Sequence, residues 1–164
     1  MYQIGDTTFY NAYGICTITG IEDRDFHGQA QPYYILHSTH YPTLTLYHPV
    51  NSDNSQLKKV LSELEAIQLL NCFKEPASTW EDRANTRSQQ YKAILNSQDH
   101  LQIAQLMNSL CRKKVELEAL DKKLSPQDAQ VLQRIAPILY DELAIALNVT
   151  KEQMTAKIDK LMQQ

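Results

Sequence analysis

The spacing of apolar and polar positions changes once along this chain. Between Thr7 and Tyr47 the apolar residues fall in short β-branched and aromatic runs broken by turn formers; from Ser62 onward they recur every three or four positions with few breakers. The first pattern predicts strands and the second amphipathic helices. Gly5-Asp6 marks a turn before Thr7-Thr8-Phe9-Tyr10, Gly14 punctuates, and Ile15, Thr17, Thr19 and Ile21 continue in strand style. The polar run Glu22-Asp23-Arg24-Asp25-Phe26-His27-Gly28 predicts a hairpin connection into a strand at residues 32–37, and residues 43–47 make a fourth. Strands this short and closely spaced predict a small, strongly bent antiparallel sheet or barrel. Residues 53–61 are ambiguous, since Leu57-Lys58-Lys59-Val60-Leu61 also suits a helix by propensity.

In the second half, Ser62-Glu63-Leu64-Glu65 is a capping box, and Leu64, Ile67 and Leu70 predict a helix to about Phe73, closed off by Pro76. Thr79 reads as the N-cap of the next helix, with Glu81 and Asp82 in its first turn and an end near Asn96. Residues 97–123 predict a long helix with Leu101, Ala104, Leu106, Met107, Leu110, Val115, Leu117 and Leu120 at its apolar positions. Ser125-Pro126-Gln127-Asp128 starts another, with Ser at the N-cap and Pro at N1. Val131, Leu132, Ile135, Ile138, Leu139, Leu143 and Ile145 should line its buried face, and Pro137 should kink or divide it. Thr150-Lys151-Glu152-Gln153 caps a terminal helix ending near Met162. The fold class is therefore α+β in two domains, residues 1–61 and 62–164. Their hinge lies near residues 74–79, beside the single tryptophan, Trp80.

Composition narrows the chemistry. An apolar share of 43% suffices for ordinary cores. No run of about 18 apolar residues exists to span a bilayer, and the opening Met-Tyr-Gln-Ile-Gly-Asp is not a signal peptide, so a cytoplasmic protein without membrane partners is expected. Cys16, Cys72 and Cys111 lie far apart and form no C-x-x-C, which points to reduced thiols. His37, His40 and His48 match no metal motif, so no metal or cofactor is expected. The net charge of -3 is uneven: four basic against eight acidic residues over 1–76, eight against six over 77–123, and four against five over 124–164. Only the middle segment has the charge to face phosphates. With no G-x-S-x-G, P-loop, G-x-G-x-x-G or paired metal motif, an enzyme and a small-molecule substrate are not expected.

Gly5-Asp6-x-x-x-Tyr10-x-x-x-Gly14, Ile21-Glu22, the Gly28 hairpin, Tyr34-Ile35-Leu36 and Leu46-x-x-Pro49-Val50 together resemble the N-terminal module of the CarD family of bacterial transcription regulators. The second half agrees. Trp80 followed by basic residues, the Ser97-x-Asp99 break, the Leu124-Ser125 start and Glu142-Leu143-Ala144 recur in the family's order. The resemblance implies a Tudor-like or SH3-like β-barrel, with a closing strand in residues 53–61, followed by an all-α domain of about five helices. It implies binding to the β lobe of the RNA polymerase β subunit by strand addition, with Arg24, Leu46, Tyr47 and Pro49 at the contact. It further implies that Trp80 wedges into promoter DNA at the upstream edge of the transcription bubble, with Arg83, Arg87 and Lys92 toward phosphates. Such a regulator would modulate open-complex stability.

The chain departs from the family at five places. Asn11-Ala12-Tyr13 replaces a Pro-His loop, and Glu81-Asp82 directly follows Trp80. About one extra helical turn precedes Ser97 and another precedes Leu124. Tyr47 stands at a second basic polymerase-facing position, which leaves stacking and backbone hydrogen bonds, or a diverged surface, in place of an ion pair. Plainer readings stand beside these. Trp80 also suits hinge packing, Arg112-Lys113-Lys114 suits a solvated helix face as well as phosphate contact, and Arg24 can pair with Glu22 or Asp25 within its own hairpin. A protein adaptor of the same fold with no DNA contact is the second functional reading.

Overall fold

The computed structural model describes residues 1–10, 13–52 and 56–164. The loop residues Asn11 and Ala12, and Asp53 to Ser55 at the start of the ambiguous segment, lie outside the described residues. The chain divides into two compact units, Met1–Val60 and Leu61–Gln164.

In the first unit, β1 (Thr7–Tyr10), β2 (Gly14–Asp25), β3 (Ala30–Ser38), β4 (Thr45–Pro49) and β5 (Leu57–Lys59) form one antiparallel sheet in the order β4-β3-β2-β1-β5. The Leu57 segment is thus a strand despite its helical propensity, because pairing with β1 and burial of Leu57 outweigh local preference. Cys16, Ile18, Tyr34, Leu36, Leu46 and Leu57 form the core of this unit. The β2–β3 register shifts between Ile18 and Gly20, leaving Thr19 as the extra residue of a bulge. A bulge bends its strand and increases its twist. Beyond it, residues 21–25 of β2 are exposed and run as an arm beside β3. A Cβ on Gly20 would lie 3.2 Å from Ile35 Cδ1, so a small residue suits this bend.

In the second unit, α1 (Glu63–Asn71) runs into a 3-10 turn (Cys72–Lys74), followed by α2 (Ala84–Ser97), α3 (His100–Glu118), α4 (Pro126–Ala146) and α5 (Lys151–Met162). The Ser62 and Thr150 capping boxes form with both reciprocal hydrogen bonds, and Ser125 Oγ accepts from the Asp128 amide at the start of α4. The core gathers Leu69, Leu70, Phe73, Met107, Leu110, Ile135, Leu139, Leu143, Met154 and Ile158.

Four expectations are corrected. Leu64 and Ile67 are exposed, because α1 buries Ala66, Leu69 and Leu70 instead. Thr79 caps nothing, since α2 begins at Ala84 with Arg83 at its N-cap. The long helix ends at Glu118 rather than Lys123: Asp121 takes φ 55°, and the Lys122 amide donates to Leu117 O, closing the last turn. Val115 and Leu120 are exposed near that end. Finally, Pro137 does not divide α4. The carbonyl it deprives of a partner belongs to Gln133, an exposed residue that water can serve.

Replacing Thr150 by Ala should lower stability by about 1 kcal/mol through loss of the α5 cap. The measurement is the shift in urea midpoint at constant m-value. An unchanged midpoint would show that packing of Met154 and Ile158 alone holds the first turn.

Candidate functional site

Two surfaces carry the residues singled out in the sequence. The first lies along β4, the strand at one edge of the sheet. Residues alternate between faces along a strand, and the pairings Ile35↔Tyr47, Tyr33↔Pro49, Gly20↔Ile35 and Arg24↔Gln31 place Tyr47, Pro49, Tyr33 and Arg24 on one face. Leu46 points to the other and is buried at 9% exposure, so its side chain belongs to the core and only its backbone is at the edge. Arg24 Cζ lies 5.6 Å from the Tyr47 ring centroid, while its Nη2 is 2.6 Å from Glu22 Oε2, the pair anticipated within the hairpin. Phe26 packs edge-on to Tyr33 at 5.0 Å and against Tyr47 at 5.4 Å. Phe26 is 51% exposed and Tyr47 37%. The face is thus an aromatic patch with one cation, and the exposed Arg24–Glu22 pair is worth little and can be exchanged for a partner's carboxylate.

The second surface surrounds Trp80, which sits on an extended strap between the 3-10 turn and α2. Several side chains hold that strap. Asn108 Nδ2 donates to the carbonyls of Cys72 (3.1 Å) and Glu75 (3.0 Å), Arg112 Nη2 donates to Phe73 O (2.8 Å), and the Ser78 amide donates to Ser109 Oγ (3.1 Å). Further along, Arg87 Nη1 donates to the carbonyls of Glu81 (2.9 Å) and Asp82 (3.0 Å). That capture of two backbone carbonyls by a guanidinium is why the helix foreseen at Thr79 does not start there.

Arg87 is itself buried, at 8% exposure. Its Nε and Nη2 donate to Asp128 Oδ1 (3.1 Å) and Oδ2 (2.9 Å), Tyr91 Oη donates to Oδ1 (2.7 Å), and Ser125 Oγ donates to Oδ2 (2.6 Å). Burial alone would raise the Asp128 pKa, but the hydrogen bonds from Arg87, Ser125 and Tyr91 outweigh it and hold the carboxyl below its ordinary value. Burial and the same carboxylate push the Tyr91 hydroxyl up. Trp80 is half-buried on this base, with Arg87 Cζ 4.8 Å and Lys113 Nζ 5.3 Å from its ring centroid. Cations at that distance attract the indole face.

The basic residues therefore separate. Arg87 and Arg112 are structural clamps on the strap. Arg83 and Lys92 are exposed; Lys113 pairs with Glu116 at 2.9 Å, and Lys114 lies 3.8 Å from Glu118. Sequence reasoning did not assign Asp128, Tyr91 or Asn108 to the site, although Asp128 marks the start of α4. The available signal was Arg87 and Tyr91 four positions apart on one helix face, where their side chains are neighbours and can share one acceptor. Among the described residues no group of three or more His, Cys, Asp or Glu is placed to hold a metal ion, and no helix is long and apolar enough to cross a membrane.

The two surfaces coincide with two family models. The CarD-like/TRCF RID domain matches residues 2–61, and the CarD C-terminal domain matches residues 68–159. The chain belongs to the CarD family. A Bacillus subtilis (strain 168) protein named "Putative transcription factor YdeB" is 25% identical over 158 residues, covering 94% of this chain and 97% of its own length. CarD-family proteins are transcription factors without enzymatic activity, and the RID domain implies that this chain binds RNA polymerase.

Arg87→Met should destabilise the protein by about 3–5 kcal/mol, because Asp128 is left buried without a counter-charge. Pairing it with Asp128→Leu should recover much of that loss. A single variant within about 1 kcal/mol of wild type in urea unfolding would show that the pair is not what fixes the strap. Because the folded pKa of Asp128 is depressed, its contribution is complete above the unfolded value of about 3.9. It is lost as pH falls through the lower folded value. Acid unfolding of Asp128→Asn should accordingly lack the steepest part of the wild-type curve.

Proposed function

We propose that this CarD-family protein docks on the β lobe of RNA polymerase through the β4 edge and sets Trp80 against promoter DNA at the upstream edge of the bubble, tuning open-complex stability. On the sheet, an edge strand offers backbone groups for strand addition. The exposed rings of Tyr47 and Phe26 beside it, backed by the buried Tyr33, supply stacking area where relatives carry a second basic residue, and Arg24 supplies the remaining charge.

The observation that carries the DNA half is the clamped strap that presents Trp80. An indole on an extended strap, clamped by a buried Arg–Asp–Tyr network and left half-exposed, is ordered before it meets a ligand, which removes most of the entropic cost of ordering it on contact. An apolar wedge held in this way can stabilise an unstacked base step. Arg83, Lys92, Lys113 and Lys114 are the cations left to meet phosphates. A factor that favours the melted complex shifts the equilibrium only by its difference in affinity for the two states, typically about 1–3 kcal/mol.

Glu81 and Asp82 beside Trp80 favour the second reading, an adaptor on polymerase with no DNA contact, since carboxylates there repel phosphate. Salt separates the two. Neutralising two to four phosphates gives a log–log slope of affinity against salt of roughly -2 to -4, whereas an adaptor adds nothing to the slope of the promoter complex.

Trp80→Ala should shorten open-complex lifetime toward that of polymerase alone while leaving polymerase pull-down intact. Undiminished open-complex stabilisation by this variant would sink the wedge. Arg24→Glu combined with Tyr47→Ala should abolish the pull-down, and retained binding would move the polymerase contact away from β4.

A further inference from the structure

Beside Trp80 the helical unit has a pocket of about 190 Å³ between α2 and α3, with the strap along one side. Its volume falls below the roughly 300–1,000 Å³ of drug-sized ligand sites and suits a single flat ring system. Leu106, Tyr91, Ile94 and Leu110 give it an apolar floor, and Trp80 stands at the wall. Around them are neutral hydrogen-bonding groups, namely the amides of Gln90, Gln102 and Gln105 and the hydroxyl of Ser109. Gln102 Nε2 donates to Asp99 Oδ2 at 3.1 Å, which leaves its carbonyl oxygen to accept. Gln90 and Gln105 lie on exposed positions of their helices.

The charges on the lining are Glu81 and Arg87, and the Arg87 guanidinium already donates to Asp128, Glu81 O and Asp82 O. Among the described residues no cation is left in the lining itself to neutralise a phosphate, Lys113 lying on Trp80 outside it, and the pocket suits an uncharged group. A nucleobase has the required form: two apolar faces that stack on aromatic rings, and an edge of donors and acceptors that amides can satisfy. The amide of glutamine, a donor beside an acceptor, complements adenine in particular.

We propose that this pocket seats one unpaired base of the DNA at which Trp80 acts, adenine being the best match, so that the strap both wedges the duplex and captures a displaced base. This rests on the DNA-contacting reading above. The two can fail separately, because base capture adds affinity without neutralising any phosphate.

The test uses the full chain at low salt with a fork-junction DNA whose first unpaired base is adenine, and with the same fork carrying an abasic residue there. The wild type should prefer the adenine fork by at least about fivefold, the low end of what one stacked base contributes to single-strand binding. The Gln90→Leu/Gln105→Leu double variant, which changes only surface amides, should lose that preference and keep the wild-type salt slope and thermal melting curve. Equal binding of the two forks by wild type, with a normal salt slope, overturns the pocket and leaves the DNA reading standing. A preference that survives in the double variant belongs to stacking on Trp80 alone and also overturns it. Absence of salt-dependent binding to either fork overturns both.

Discussion

The strap of the helical unit depends on the buried Arg87–Asp128 pair. Removing Arg87 and Asp128 from water costs several kcal/mol per ion, and a pair in that position is sustained only if its remaining hydrogen-bonding capacity is met. Here it is met from four directions: Tyr91 and Ser125 complete the carboxylate, and the carbonyls of Glu81 and Asp82 complete the guanidinium. The consequence is geometric. One interaction joins α2, the first turn of α4 and the strap, so Trp80 inherits its position from a contact between residues 41 apart in sequence.

This distance explains what the sequence could and could not reveal. Caps were legible, because Ser62 with Glu65 and Thr150 with Gln153 close their hydrogen bonds within three residues. The Leu57 strand needed knowledge of its β1 partner, and the resemblance supplied it. Thr79 has the residue type of an N-cap but fails as one, since a guanidinium from the next helix takes the carbonyls that a helical turn would have used. Leu64 and Ile67 were assigned inward on a spacing that serves two faces of α1 equally well, and tertiary packing chose Leu69. The count of basic residues in 77–123 marks that segment as the one with the charge to face phosphates. The structure turns Arg87 and Arg112 inward onto backbone and leaves Arg83 and Lys92 outside, a distinction that a charge tally cannot make.

The two surfaces also differ in how they are prepared. Around Trp80, order is imposed by buried polar groups whose removal is expensive. Along β4, the exposed rings of Phe26 and Tyr47 are held by contacts with each other, with Tyr33 and with Arg24. That patch can be rearranged at small cost, as the docking proposed for it would require.

The alternation along β4 has a consequence for how such a protein can diverge. Leu46 and His48 face the core while Tyr47 and Pro49 face away from it. Under the docking proposed for β4, exchange of a single outward side chain would redirect partner choice while the neighbouring inward ones go on holding the sheet together. On that reading binding specificity and foldability are written on alternate letters of the same short word, and a lineage can revise one without erasing the other.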